Sequence, residues 1–190
     1  MNDVEKVVKA SRLLDVVIGE YITKNCNELS EEEKFFMRLN ALAMSLSYLL
    51  PVGIVNNEYR LKALDIFCEN IDIFCENISD YFFKEGEKKD FLHNEVIMNE
   101  EKFKHEEKIK ELAQLINEFI AEYMKEDCND LSGKEKFFIH LNSLGVNVSF
   151  LLLNCLGDNS HRMVVLDGFC ESVKLNLVDD CFVTVDKQSL

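Results

Sequence analysis

The chain has 190 residues, 47% of them hydrophobic with 14 Phe, and its 35 acidic against 21 basic side chains leave a net charge of −14. That much apolar material excludes wholesale disorder, and the negative balance disfavours a protein that tracks nucleic-acid phosphates or rides a membrane on a polybasic face. One Pro and 7 Gly argue against a turn-rich β protein, so the expected class is all-α.

The chain starts Met1-Asn2-Asp3-Val4-Glu5-Lys6, without the basic start and apolar run of a secretory signal, which points to a cytoplasmic protein. Val4, Val7, Val8, Leu14, Val17, Ile18, Tyr21 and Ile22 recur at helical spacing and stop near Asn25-Cys26-Asn27. Ser30 followed by Glu33 then makes a capping box: the hydroxyl accepts an orphan amide while the glutamate reaches back. The second helix runs from there to about Leu50, with Phe35, Phe36, Leu39, Leu42, Ala43, Leu46, Leu49 and Leu50 apolar on more than one face, the mark of a central buried helix. Its longest apolar stretch, Ala41 to Val55, is interrupted by Ser45, Ser47, Pro51 and Gly53 and reads as shorter than the roughly 20 residues of a membrane span.

After a loop with Pro51, Gly53 and Asn56-Asn57, the third helix contains Asp65-Ile66-Phe67-Cys68-Glu69-Asn70-Ile71, repeated at once as Asp72-Ile73-Phe74-Cys75-Glu76-Asn77-Ile78. A seven-residue repeat slips only about 20° in helical phase, so Leu64, Ile71 and Ile78 share one stripe beside Phe67, Phe74 and Tyr81. Ile66 and Ile73 fall off that stripe, and Tyr81-Phe82-Phe83 end it. The helix therefore carries more apolar surface than one bundle face consumes.

Glu85-Gly86-Glu87-Lys88-Lys89-Asp90 marks a charged break, and beyond it the chain repeats itself. Glu33-Lys34-Phe35-Phe36 returns 102 residues on as Glu135-Lys136-Phe137-Phe138, and the same gapless offset carries Cys26-Asn27 onto Cys128-Asn129 and Phe67-Cys68-Glu69 onto Phe169-Cys170-Glu171. Between Leu13 and Glu69 about 25 of the 57 aligned pairs are identical. Ile109, Leu112, Ile116, Phe119, Ile120 and Tyr123 answer the first helix, Ser132 with Glu135 repeats the capping box, and the second helix again ends near Leu152. In the last helix Asn176 stands where Phe74 stood. The expectation is a tandem duplication of a three-helix unit, forming an approximately six-helix bundle with pseudo-twofold symmetry. Residues 1–84 are the first repeat, 85–104 a charged linker and helix start, 105–180 the second repeat and 181–190 a C-terminal tail of strand-like composition. Units of this size are marginal alone, so one shared core is expected.

No catalytic residue, cofactor site or metal site is expected. The chain lacks a Gly-rich phosphate loop, and His93, His105, His140 and His161 are isolated, with His140 and His161 replacing Arg38 and Tyr59 between the copies. The 7 cysteines lie mostly beside Phe, Leu or Val and read as reduced, buried thiols; Cys26 and Cys128, just before a helix start, are the ones whose pKa a helix dipole could lower. A polar set recurs: Asn40 with Asn142, Ser47 with Ser149, Arg60 with Arg162, Asp65 with Asp167 and Glu69 with Glu171. These read as structural, Asn40 and Ser47 satisfying buried groups and Arg60 pairing with Asp65.

The expected function is that of a non-enzymatic interaction module, binding another protein or a second copy through Ile66, Phe67, Ile73, Phe74, Tyr81 and Phe82, with no direct contact to nucleic acid or membrane. Two alternatives stand beside it. One is a carrier of an apolar ligand in a cavity between the repeats, with Asn40, Asn142, Arg60 and Arg162 orienting its head group. The other is an acidic decoy that occupies a nucleic-acid-binding cleft on another protein.

Overall fold

The computed structural model describes residues 2–82 and 105–178, without the side chains of 76–82. The linker expected at 85–104 and the tail at 181–190 lie outside the described residues, except that the helix start falls just after the linker. Six helices follow in order: α1 (Asp3–Asn25), α2 (Glu31–Gly53), α3 (Asn57–Phe82), α4 (Glu106–Glu126), α5 (Gly133–Cys155) and α6 (Asn159–Val178). All six pack against one another, as an all-α bundle requires.

Local chemistry sets the helix starts. The Ser30 hydroxyl accepts the Glu33 amide at 3.1 Å and the Glu33 carboxylate accepts the Ser30 amide at 2.8 Å, and Ser132 with Glu135 does the same at 3.4 and 2.8 Å. Both capping boxes stand where the sequence puts them. A third, Asn2 with Glu5 at 2.9 Å in each direction, starts α1 and is not anticipated by the hydrophobic pattern.

The helix ends differ from expectation. α2 and α5 run on to Gly53 and Cys155, past the Leu50 and Leu152 at which the apolar pattern stops. Pro51 lies inside the last turn of α2, where it forfeits only its own amide, and Ile54 still donates to the Leu50 carbonyl at 2.8 Å. Beyond each end an arginine takes over the orphan carbonyls. Arg60 donates from Nε to the Ile54 carbonyl at 2.6 Å and from Nη2 to that of Val55 at 3.0 Å; Arg162 donates from Nη1 to the Leu156 carbonyl at 3.2 Å and from Nη2 to Asn159 Oδ1 at 3.2 Å. The expected Arg60–Asp65 pair is thereby replaced, because the guanidinium is spent on carbonyls, and Asp65 lies 3.7 Å from Lys174 instead.

The core is built across the two halves of the chain. α1 packs on α4 and α5, α2 on α4, α5 and α6, and α3 on α5 and α6, whereas contact within a half is slight and is greatest between α2 and α3. Leu14, Leu39, Leu46, Leu64, Leu112 and Ile116 are fully buried, and every apolar residue assigned to the face of α2 is buried. Among the polar bonds that cross this core, Ser45 donates to the Ala113 carbonyl at 3.2 Å, Asn147 to the Ser11 carbonyl at 3.2 Å and Ser143 to the Val7 carbonyl at 3.5 Å. Tyr21 and Tyr123 reach the carbonyls of Lys108 at 3.3 Å and Lys6 at 3.2 Å. Ser47, Ser149 and Asn142 donate to the carbonyls of Ala43, Gly145 and Phe138 in their own helices, and Ser47 also accepts from Asn176 of α6 at 3.4 Å.

Two cysteine expectations change. Cys68 and Cys170 form a disulfide between α3 and α6, so the thiols are not uniformly reduced. Burial raises the pKa of Cys26 and Cys128 against the opposing pull of Lys108 and Lys6, so neither is an activated thiol. The reading of membrane length is also revised. α2 and α5 are long and apolar enough to cross a bilayer by length and composition, because Ser, Asn and Gly interrupt an apolar run without adding charge; in the bundle 61% of the α2 window and 44% of the α5 window are buried.

Candidate functional site: a groove between α3 and α5

α3 turns Leu64, Phe67, Ile71 and Cys75 into the core, the stripe that its helical spacing predicts through Ile71. Phe67 stacks on Phe169 of α6, with ring centroids 6.3 Å apart and planes 23° from parallel. α3 comes close to α5 at Gly145, where an added Cβ would stand 3.2 Å from the Phe67 ring. Immediately beside this contact the two helices part and leave a groove of about 450 Å3. Ile66, Asn70 and Phe74 line one wall; Phe138, Leu141 and Asn142 line the other. Ile66 is 58% and Phe138 55% exposed. At one end Phe74 meets Phe150 edge-on, centroids 6.1 Å apart. Asp65 and Glu69 are exposed on α3 but lie outside the groove lining, Asp65 on the flank that faces Lys174 of α6.

The residues expected to bind a partner are thus divided. Ile66, Phe67 and Phe74 come together in the groove, but Phe67 is buried and serves as its floor. Ile73 is 48% exposed and lies outside the lining. Tyr81 and Phe82 belong to α3, with side chains outside the described residues. Of the recurrent polar set Asn142 and Ser149 line the groove; Arg60 and Arg162 hold helix ends, Asp65 faces Lys174, Asp167 is exposed and Asn40 half-buried. Phe138 was not singled out by sequence because its counterpart in the repeat, Phe36, reads identically.

A second cavity, of about 310 Å3, lies between α1, α2 and α5. Arg12, Asp15, Arg38, Asn147 and Cys155 line it together with Ile18, Leu42 and Leu151. The Nε of Arg38 is buried there without a hydrogen-bond partner. Burial pushes the Cys155 thiol up, with Arg38 pulling the other way. The signal for this site in the sequence is a difference between the copies: Gln114, Asn117 and His140 occupy the positions 102 residues after Arg12, Asp15 and Arg38. His140 is half-buried, its Nε2 is buried without a partner, and desolvation holds its pKa down to about 4, so the ring is neutral at pH 7.

Among the described residues no group of three His, Cys, Asp or Glu side chains could hold a metal ion. His105, the N-terminal cap residue of α4, stands 3.7 Å from Glu33. What the groove offers chemically is desolvation of apolar groups, and what the cavity offers is guanidinium side chains in a partly open cleft. No family model matches the chain, and no curated protein or solved structure matches it either.

Proposed function

We propose that this chain is a non-enzymatic interaction module that acts by stoichiometric binding, and that its groove between α3 and α5 takes an amphipathic helix of another protein. The observation that carries the reading is the exposure of Ile66 and Phe138 on facing walls of one apolar groove. Large apolar side chains left facing each other in water are the usual anchor points of a docked helix. A net charge of −14 favours a segment with basic flanks and opposes a second copy of this acidic chain. A cytoplasmic location belongs to the same proposal, and the Cys68–Cys170 bond is the observation that weighs against it, disulfides being rare in reducing compartments.

The proposal extends to architecture: two copies of one three-helix unit, 1–84 and 105–180, related by a pseudo-twofold axis. Its support is a set of bonds whose partners exchange under the offset of 102 residues. Tyr21 reaches Lys108 and Tyr123 reaches Lys6; Lys108 pairs with Glu28 and Lys6 with Asp130; Ser45 reaches Ala113 and Asn147 reaches Ser11. Phe67 with Phe169 and Cys68 with Cys170 join each residue to its own counterpart, which only residues near such an axis can do.

The test places a photo-crosslinking residue at Asn70 and identifies the captured segment from host lysate by mass spectrometry. The expected product is an apolar segment with Lys or Arg flanks, lost when Ile66→Asp and Phe138→Asp are combined. Capture unchanged by that pair sinks the groove reading, and crosslinks only to a second copy convert it to self-association.

A further inference from the structure

The cavity between α1, α2 and α5 carries chemistry that the groove lacks. Its 310 Å3 is at the small end of the range for organic ligands. Two guanidinium side chains line it in a chain whose net charge is −14, so positive potential is gathered where the average is negative. Arg38 lines the cavity and its Nε is buried without an acceptor, which leaves the guanidinium short of a partner, so a carboxylate on its fork is favoured. Asn147 is held by bonds from its Nδ2 to the carbonyls of Ser11 at 3.2 Å and Ser143 at 2.9 Å, which leaves its side-chain oxygen as an acceptor in the same lining. Ile18, Leu42 and Leu151 supply an apolar wall. The related positions 102 residues on carry Gln114, Asn117 and His140, so the fold itself does not demand charge at this place.

We infer that the cavity binds a small monocarboxylate with an apolar body, its carboxylate on Arg38 and Arg12 and its hydrocarbon against Ile18, Leu42 and Leu151. A guanidinium fork matches the two oxygens of a carboxylate. Asp15 in the lining repels a second negative charge, which sets a monocarboxylate ahead of a phosphate dianion. The inference is independent of what occupies the groove, because it uses a different set of side chains.

Calorimetric titration of the full chain with phenylbutyrate, with phenylbutanol and with inorganic phosphate tests it. The expected result is saturable one-to-one binding of phenylbutyrate, with the alcohol and phosphate at least about tenfold weaker and a loss of about tenfold in each of Arg38→Gln and Arg12→Gln. Arg12 is exposed, so its variant keeps the test alive should Arg38→Gln fail to fold. Cys155 lies in the cavity wall, and its alkylation by N-ethylmaleimide should slow when phenylbutyrate is present. Absence of saturable binding with no protection of Cys155, unchanged affinity in both arginine variants, or phosphate binding as tightly as phenylbutyrate would each overturn the assignment.

Discussion

The α3/α5 side of the bundle and the α2/α6 side are built from positions 102 residues apart, yet one is an open groove and the other is closed. On the closed side Phe36 is 3% exposed and meets Phe35 edge-on at 5.1 Å, and Asn176 donates to the Ser47 hydroxyl at 3.4 Å across the two helices. On the open side Phe138 is 55% exposed, and Phe74 in place of Asn176 has no donor to offer and turns to Phe150. The difference has a source one helix end away. Gly53 leaves a space that the ring of Phe137 occupies, since an added Cβ there would overlap it. The corresponding position 155 is a cysteine, so Phe35 has no such space and packs on Phe36. Identical Phe-Phe pairs therefore diverge because of what faces them, and the teaching is that the vacancy opposite a side chain decides its burial as much as its own hydrophobicity does.

The most severe way to break this comparison is to separate the halves. Each side is made of helices from both halves, α3 with α5 and α2 with α6, so neither half owns a side. Residues 1–84 and 105–190 expressed singly are expected to lose cooperative unfolding altogether, and mixing them should restore it, followed by circular dichroism on heating. A soluble half with a sharp transition of its own would show that the sides are not shared structures.

Next in size is the matched pair Phe36→Ala and Phe138→Ala. Removing a buried phenyl ring costs about 3–5 kcal/mol, while the same change at an exposed site falls within about 0.5 kcal/mol. Urea unfolding of both variants measures the gap directly, and equal losses would mean that Phe138 is covered in solution.

Much of the fold is legible in the residues themselves. The capping boxes at Ser30 and Ser132, the buried faces of α2, and the inward stripe of Leu64, Phe67 and Ile71 all follow from spacing, because they depend on neighbours one helical turn away. The site was only half legible. Ile66 and Phe74 stand out as surplus apolar residues, but the exposure of Phe138 accompanies the seating of Phe137 against Gly53, a contact between α5 and the end of α2 that no local pattern carries. The disulfide and the arginine caps depend likewise on tertiary placement: Cys68 meets Cys170 only because α3 crosses α6 at that turn.

Arg38 and the residue 102 positions on, His140, give a pH-dependent comparison. Burial depresses the pKa of His140 from 6.5 to about 4, so between those values the unfolded chain binds a proton that the folded chain does not. Stability should therefore fall as pH is lowered through 6.5 and stop falling from this source near 4, by roughly 3 kcal/mol in all. His140→Gln should flatten that part of the profile in urea titrations at successive pH values, whereas Arg38→Gln should leave it in place. Equal slopes in the wild type and His140→Gln would show that His140 is protonated in the folded state.

The smallest expected effects come from the two glycines that face phenylalanine rings. At Gly53 an added methyl overlaps the Phe137 ring and forces it to move, an overpacking cost of about 1–2 kcal/mol, so Gly53→Ala should be destabilising. At Gly145 the methyl would meet the Phe67 ring at 3.2 Å, a contact that a shift of a few tenths of an ångström relieves. Alanine also favours the helix interior over glycine by about 0.5–1 kcal/mol, which offsets that shift and leaves Gly145→Ala within about 0.5 kcal/mol of the parent. The displaced Phe137 sharpens the comparison further. With the space at Gly53 filled, the ring has to turn toward Phe138, as Phe35 does toward Phe36, and the groove should narrow. Gly53→Ala is thus expected to weaken capture at the groove while Gly145→Ala does not, and an unaltered yield of the Asn70 crosslink in Gly53→Ala would separate the openness of the groove from the position of Phe137.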